Sequence, residues 1–291
     1  MRIALIGAEG QLGRALRTRL GGDVVALGHA DVEIRSAESV EAAFATAKPD
    51  LVINTAAYNQ VDRAEDEPDI AFAVNALGPR NLALVCQARE IPLLHMSTDY
   101  VFSGWQGVDS QQSPCTRAYQ EIDRPDPLSA YAVCKLAGEH FVLRLCQRHY
   151  VVRTCGLYGS TTAPGTGNFV QTMLRLGRER GKVDVVDDQT CTPTSSAALS
   201  RVIEALIATD DYGMYHATNS GSTTWYEFAR EIFRLAKLGV SVNPISSQEF
   251  GAKARRPCYS VLDNHKLTAS VGFELPPWQD ALKRYIDKQH D

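Results

Sequence analysis

Tyr131 and Lys135 stand four residues apart in the stretch Tyr-Ala-Val-Cys-Lys. On an α-helix, positions i and i+4 are surface neighbours, so a phenol and an ammonium at this spacing can work together. A free phenol titrates near 10 and handles protons poorly at neutral pH unless a positive charge stabilises its anion. Lys135 supplies that charge. A second polar group, Ser97, Thr98 and Asp99, sits in His-Met-Ser-Thr-Asp-Tyr-Val-Phe at 95–102. Thr98 can donate to the same oxygen as Tyr131 and share the negative charge that develops on it. Together these residues suit protonation of a carbonyl oxygen. Taken alone, each has a plainer reading: a chance pair, and a polar turn that caps a strand.

A carbonyl protonated in this way needs a hydride, and the N-terminus suggests its source. Gly-Ala-Glu-Gly-Gln-Leu-Gly at 7–13 follows a short apolar run and opens a stretch of helical period. Gly7, Gly10 and Gly13 permit a tight turn, close approach of backbone to a pyrophosphate and close packing of helix on sheet, while the helix N-terminus offers free N–H groups to the anion. The cofactor implied is NADPH or NADH. The second strand runs into Gly28-His29, where an Asp or Glu would hold an NAD ribose and repel a 2′-phosphate. Its absence leaves NADPH open. Glu33 is a weaker candidate for polar cofactor contacts.

These groups must be positioned by the elements that carry them. Short apolar runs (RIALIG, DVVAL, DLVINTAA, IPLLHMS, YVVRTCG) alternate with longer amphipathic stretches. That alternation predicts βαβ units: an α/β, Rossmann-type, doubly wound parallel sheet with helices on both faces. Ser97, Thr98 and Asp99 then lie at the C-terminal edge of a strand, where such sheets bind ligands. After about residue 155 the rhythm loosens into separate helices at 168–180, 195–208, 224–237 and 277–288. The predicted division is a dinucleotide-binding domain at 1–154 and a smaller mixed α/β substrate lobe at 155–291, with about 183–208 returning to the first domain. Residues 103–130, rich in Gly and Pro, read as a long surface connection.

The 291 residues are 44% hydrophobic and 22% charged, with a net charge of −4. Such a chain has no broad positive field, so nucleic acid and anionic membrane are poor partners and a small molecule is favoured. Seven Cys without a Cys-x-x-Cys spacing argue against a disulfide framework or structural zinc, and no metal site is expected. No apolar stretch suits a signal peptide or membrane span, so the protein is expected in the cytoplasm.

The motifs together resemble the extended short-chain dehydrogenase/reductase superfamily, and within it the dTDP-4-dehydrorhamnose reductases. The likeness runs through Gly-x-x-Gly-Gln-Leu-Gly at 7–13, Ala56-Ala57-Tyr58, Val-Asp-x-Ala-Glu at 61–65, Ser-Thr-Asp-Tyr-Val-Phe at 97–102, and Tyr131-x-x-x-Lys135-Leu-Ala-Gly-Glu. It continues in Asn168-Phe169, Asp187-Asp188-Gln189, Pro193-Thr194, Trp-Tyr-Glu-Phe-Ala near 224–229, and Arg256-Pro257 with Ser260. The resemblance implies NAD(P)H-dependent reduction of the 4-keto group of dTDP-4-dehydro-6-deoxy-L-mannose to give dTDP-L-rhamnose. It assigns catalysis to Thr98, Tyr131 and Lys135. Cofactor contacts would come from Gly7, Gly10, Gln11, Leu12, Gly13, Glu33, Ile34, Ala56, Ala57, Tyr58, Ser97, Tyr131 and Lys135. Substrate contacts would come from Thr98, Asp99, Gly156, Asn168 and Arg256. Arg256 suits a diphosphate through paired, charge-assisted bonds, and Asn168 suits either the ligand or the cap of the following helix.

The chain departs from the family pattern in three places. Arg-Thr-Ser-Trp becomes Arg153-Thr154-Cys155-Gly156, so an aromatic wall beside the sugar is missing. The connection before Tyr131 is several residues longer, and it contains Trp105. Arg14 and Ala15 stand where some members carry a glutamate that bridges subunits through a metal, so no such bridge is expected and the partner state is monomer or homodimer. Rival readings with the same motifs are a reductase or epimerase of another nucleotide-linked 4-ketosugar, a dehydratase, and a non-catalytic regulatory subunit.

Overall fold

The computed structural model describes residues 1–106, 113–160 and 167–290. The first half alternates strand and helix: β1 (Ile3–Ile6), α1 (Gln11–Leu20), β2 (Val24–Leu27), α2 (Ala37–Ala47), β3 (Leu51–Asn54), α3 (Pro68–Phe72), α4 (Gly78–Ala88) and β4 (Leu93–Thr98). A two-stranded ribbon, β5 (Trp105–Gln106) with β6 (Ser113–Pro114), precedes α5 (Ala130–Leu145) and β7 (His149–Thr154). The second half contains β8 (Leu157–Tyr158), α6 (Phe169–Arg180), β9 (Lys182–Val186), β10 (Thr190–Cys191), β11 (Thr194–Ser195) and α7 (Ser196–Leu206). It ends with β12 (Gly213–His216), β13 (Thr223–Thr224), α8 (Trp225–Leu235), β14 (Ser241–Ile245), α9 (Ser247–Phe250), α10 (His265–Val271) and α11 (Trp278–His290).

Six strands form one parallel sheet in the order β12-β7-β4-β3-β1-β2. Side chains alternate across it as the pleat requires. Ile3 and Leu5 of β1 face α1, α7 and α10, where Leu12, Leu16, Leu199, Ile203 and Leu267 are buried. Ala4 and Ile6 face α2, α4 and α5, where Val40, Phe44, Leu82 and Val142 are buried. Burying each large aliphatic side chain contributes about 1.5–3 kcal/mol, which fixes the strand register more firmly than local propensity does. This is the doubly wound sheet that the sequence predicts. The chain leaves β1 towards one edge to form β2 and towards the other to form β3, so the reversal of strand order falls beside the glycine turn.

Of the segment about 183–208 expected to rejoin the first domain, the later part, α7, does so and the earlier part does not. Residues 182–186 pair with Ser241–Ile245 of β14 in the small lobe instead of returning to the large sheet. What returns is α7, packed beside α1, then β12 on the sheet edge and α10 against both. The physical reason lies in burial: β9 shows the alternate exposed and buried pattern of a one-sided ribbon, whereas Tyr215 and His216 of β12 are fully buried. The small lobe has its own apolar core of Tyr158, Val170, Met173, Phe228, Ile232, Trp278 and Ile286.

Two segments read differently from the pattern of residues alone. The periodic stretch 69–89 splits into α3, a π-helical turn at Ala73–Leu77, and α4. Pro79 lacks an N–H to continue an α ladder, and the wider turn absorbs that loss. The connection 103–130 is partly core: Phe102 stacks on Tyr119 at 4.0 Å, and both are buried with Cys115 and Leu262. Residues 107–112 of it lie outside the described residues. Trp105 is 41% exposed. No helix among the described residues is long and apolar enough to cross a membrane.

One ion pair ties α5 to the sheet on the face it covers. Arg153 on β7 meets Glu139 on α5 through two bonds of 2.9 and 2.6 Å, with both side chains almost wholly inaccessible. The remaining Arg153 nitrogen approaches His216 Nε2 at 3.4 Å, and Phe102 lies 5.1 Å beneath the guanidinium. Removing one member leaves a bare buried charge, so Glu139→Leu is expected to cost about 3–5 kcal/mol in denaturant unfolding, most of it recovered by adding Arg153→Met. Equal losses in the single and double variants would show that the pair is not what clamps the helix.

Candidate functional site

The glycine turn has the geometry of a backbone cradle. Gly7 has φ +76°, and a Cβ there would lie 2.7 Å from the backbone N of Ala56. A Cβ on Gly13 would lie 2.3 Å from the Gly7 carbonyl. Helix and sheet therefore approach more closely than any side chain would allow, and Gly10 caps α1 without a side-chain acceptor, leaving the first-turn N–H groups open to a ligand. Leu12 and Ile34 turn their side chains into the core, so they offer the turn only backbone. Ala56 N–H donates to Asn54 Oδ1, and Tyr58 N–H to Asn75 Oδ1, which sets the course of the 56–58 segment past the glycine turn. Ser97 is buried with no partner for its hydroxyl. Glu33 is held by Arg35 at 2.6 Å, and that hydrogen bond brings its carboxyl down to about 2. Arg35 was not among the residues expected here; a lone arginine in a loop gives no sequence signal.

Helix α5 starts on two caps. Ser129 accepts from Ala132 N–H at 3.3 Å, and Glu65 accepts from Ala130 N–H at 2.8 Å, placing a carboxylate at the positive end of the helix. Tyr131, Lys135 and Glu139 then recur at intervals of four and lie buried against the sheet. Lys135 Nζ donates to the Met96 carbonyl on β4 at 2.6 Å. Burial drives its pKa down to about 8, against the opposing pull of Glu139. Burial raises the Tyr131 phenol above its ordinary range, while the adjacent Thr98 hydroxyl draws it partly back. The structure thus brings Thr98, Tyr131 and Lys135 to one strand end, but it seats the ammonium on the Met96 carbonyl.

Asp99 is a buried carboxylate, 2% exposed, and burial raises its pKa to about 6. Ser260 donates to it at 2.6 Å and Thr98 at 3.2 Å, and the Cys155 thiol lies against it as well. Both histidines nearby are kept neutral: burial lowers His95, bonded to Asn54 at 3.0 Å, and takes His216 to about 3. Gly156, with φ +51°, follows Cys155 where β7 ends.

Two expected substrate residues are otherwise engaged. The Arg256 guanidinium makes bonds of 3.0 and 2.7 Å to Asp62 and a third to the Ala254 carbonyl. Asn168 caps α6 by accepting from Gln171 N–H, and its NH2 donates to Gln11 Oε1 and the Gly159 carbonyl, both at 2.9 Å. Asn168 is thus the N-cap of α6, and every polar atom of its amide has a protein partner. Two interactions were missed by sequence reasoning: the Asp62 partnership of Arg256 and the place of Trp225, whose indole lies against Gly156. Both join residues far apart in the chain, and spacing cannot reveal such pairs. A cavity of about 620 Å³ opens beside Gln11 and Gly159, between α1, α7 and α11; Tyr131 and Thr98 are not among its walls. Among the described residues no group of three or more His, Cys, Asp or Glu could hold a metal ion.

Residues 1–290 match the family model described as the RmlD substrate binding domain. A dTDP-4-dehydrorhamnose reductase of Streptomyces griseus is 42% identical, over 97% of this chain and 91% of its own. A solved dTDP-4-dehydrorhamnose reductase from Clostridium acetobutylicum superimposes with a TM-score of 0.93 at 39% identity, covering 100% of both chains. Another, from Bacillus anthracis in complex with NADP, gives 0.90 at 38% identity over 99% of each chain.

Two pH effects follow from these environments. Because the folded pKa of Lys135 lies below its free value of 10.5, the ammonium is lost as pH rises through about 8. The value of kcat/KM is expected to fall with that apparent pKa on the alkaline side; a profile flat to about pH 9.5 would exclude an obligatory ammonium. Asp99 is shifted the other way, from 3.8 to about 6, so stability falls as pH rises from about 3.8 and the loss is complete once pH passes about 6. Asp99→Asn should therefore stabilise the fold by up to about 3 kcal/mol at pH 7.5 and by little near pH 4, measured by thermal unfolding at both.

Proposed function

The chain belongs to the RmlD family of dTDP-4-dehydrorhamnose reductases, and from that premise we propose how its own residues perform the reduction. The reaction is NAD(P)H-dependent reduction of the 4-keto group of dTDP-4-dehydro-6-deoxy-L-mannose to dTDP-L-rhamnose. The single observation that carries the mechanism is the meeting of Thr98, Tyr131 and Lys135 at the C-terminal end of β4, two strands from the glycine cradle.

The residues present fit a dinucleotide. The Gly7–Gly13 approach would be filled by any Cβ, the first turn of α1 is uncapped, and Ser97 has a buried hydroxyl with no partner. Gly7, Gly10 and Gly13 would hold the pyrophosphate, with Gln11 and Leu12 contributing backbone N–H groups, and Ala56, Ala57, Tyr58 and Ser97 would flank the remainder. When bound, the dihydronicotinamide supplies the hydride. Tyr131, fully protonated at neutral pH, gives its proton to the former carbonyl oxygen. Thr98 donates to that same oxygen and shares its growing charge. Lys135 keeps a positive charge beside the phenol so that the phenolate left behind is not bare, and its remaining donors suit a ribose hydroxyl. Asp99 accepts from sugar hydroxyls while Ser260 holds its far oxygen.

Tyr131→Phe is expected to keep NADPH affinity within about twofold while kcat falls by about 10² or more, the scale of lost general acid catalysis. Stopped-flow NADPH oxidation and fluorescence titration of the cofactor measure the two separately. Undiminished turnover would remove Tyr131 from the mechanism. Bound NAD surviving dialysis, with no net NADPH oxidation, would point instead to an epimerase.

A further inference from the structure

Thr98 has one hydrogen to give, and three groups crowd its oxygen. The Tyr100 N–H donates to Oγ1 at 3.2 Å, Asp99 Oδ1 lies 3.2 Å away, and the Tyr131 phenol adjoins it. A hydroxyl offers two lone pairs and one O–H. The Tyr100 N–H takes the first lone pair, so one lone pair and one hydrogen remain to be shared between Asp99 and the oxygens that react. Their allotment is decided at Asp99.

The surroundings of that carboxyl fix where its own proton sits. Ser260 donates to Oδ2 at 2.6 Å, and its hydroxyl has no other partner among the described residues. The Ser260 backbone is held in turn, its N–H donating to the Thr190 carbonyl at 2.8 Å. With Oδ2 already receiving a hydrogen, a proton on Asp99 belongs on Oδ1, pointing at Thr98. The other groups that face Asp99 are Cys155 after β7, with Cys191 of β10 behind it, Tyr100 of its own turn and Tyr131 of α5. Burial pushes Cys155, Tyr100 and Tyr131 upwards, so each stays neutral where Asp99 titrates. Arg256 beside Tyr100 is engaged by Asp62, and Lys135 by the Met96 carbonyl. Among the described residues no cation pairs with Asp99.

Two arrangements follow. With Asp99 ionised, the Thr98 hydrogen turns to Oδ1 and the free lone pair draws the Tyr131 O–H, so both donors are turned from a ketone. With Asp99 neutral, its O–H fills that lone pair, and the hydrogens of Thr98 and Tyr131 are both released to the ketone oxygen. We infer that Asp99 is a positioning residue that works through Thr98, its neutral carboxyl aiming the Thr98 O–H at the substrate ketone and its carboxylate withdrawing it. The inference rests on the reductase reading above and extends it from which groups donate to when they do. Losing one donor to a developing oxyanion lowers a rate by about 10²–10³, so the ionised form contributes little turnover.

The test is the pH profile of kcat/KM for NADPH oxidation by the full chain with the ketosugar, from about pH 5 to 9, in wild type, Asp99→Asn and Ser260→Ala. Wild type is expected to fall by about 10-fold or more between pH 5.5 and 7.5, a descent separate from that of Lys135 near 8. In Asp99→Asn that descent disappears and the Lys135 one remains. In Ser260→Ala it moves to higher pH, because a carboxylate that has lost a donor holds its proton more tightly. A merely structural role for either side chain would lower the rate at every pH and move neither descent. Were Asp99 only a ligand for sugar hydroxyls, its ionised form would bind better and kcat/KM would rise over the same interval. A flat or rising wild-type profile, a descent that survives in Asp99→Asn, or one unmoved in Ser260→Ala overturns the inference. Wild type that oxidises no NADPH at any pH overturns the reductase reading instead, and this inference with it.

Discussion

The buried contact between Arg153 and Glu139 sets the position of everything that reacts. Taking two charges out of water costs several kcal/mol each, so such a pair survives only with near-ideal geometry and further partners. Here the fork of two bonds, the neutral imidazole of His216 and the ring of Phe102 supply them. Because His216 Nδ1 faces the Tyr119 carbonyl at 2.9 Å, its proton lies there, and Nε2 is left to receive the arginine. Glu139 is one helical turn beyond Lys135 and two beyond Tyr131, so fixing it against β7 fixes the rotation of α5. A slip of one residue would turn all three away from the sheet by about 100°.

The protonation states around this clamp share one cause. The Tyr131 phenol is raised, the Lys135 ammonium lowered, Asp99 raised and two histidines held neutral, and in every case burial is the largest influence. A dry environment is thus the common background, and specific contacts only modulate it. Thr98 is the exception of note, since it touches both Tyr131 and Asp99 and so links the proton donor to the carboxylate beside it. In a medium of low polarity a hydrogen bond to a developing anion counts for more than it would in water.

Much of this was legible in the residues themselves. The alternation of apolar runs disclosed the parallel sheet, since a strand buried on both faces is apolar along its length, as β1 is and as β3 is up to Asn54. The glycine turn and the Tyr131–Lys135 spacing depend on local geometry, which sequence separation expresses directly. What escaped are contacts whose partners lie far apart: Arg256 with Asp62, Asn168 with Gln11, and Trp225 with Gly156. The boundary of the small lobe escaped for a related reason. Strands as short as β9 and β12 carry too few residues for their pattern to say which sheet they join, and only the burial of Tyr215 and His216 decides it.

The order of strands in the large sheet carries one more implication. Strand β12 covers the outer edge of β7 with residues 213–216, yet the chain reaches it only after building part of the small lobe. A ribosome that had released only the first half would leave β7 as an open parallel edge, with Tyr150 and Val152 deprived of Tyr215 and Ala217. Such edges recruit strands from other chains. The two lobes are therefore interdependent during synthesis, and a truncated N-terminal half would be prone to self-association until its late-arriving strand closed the sheet.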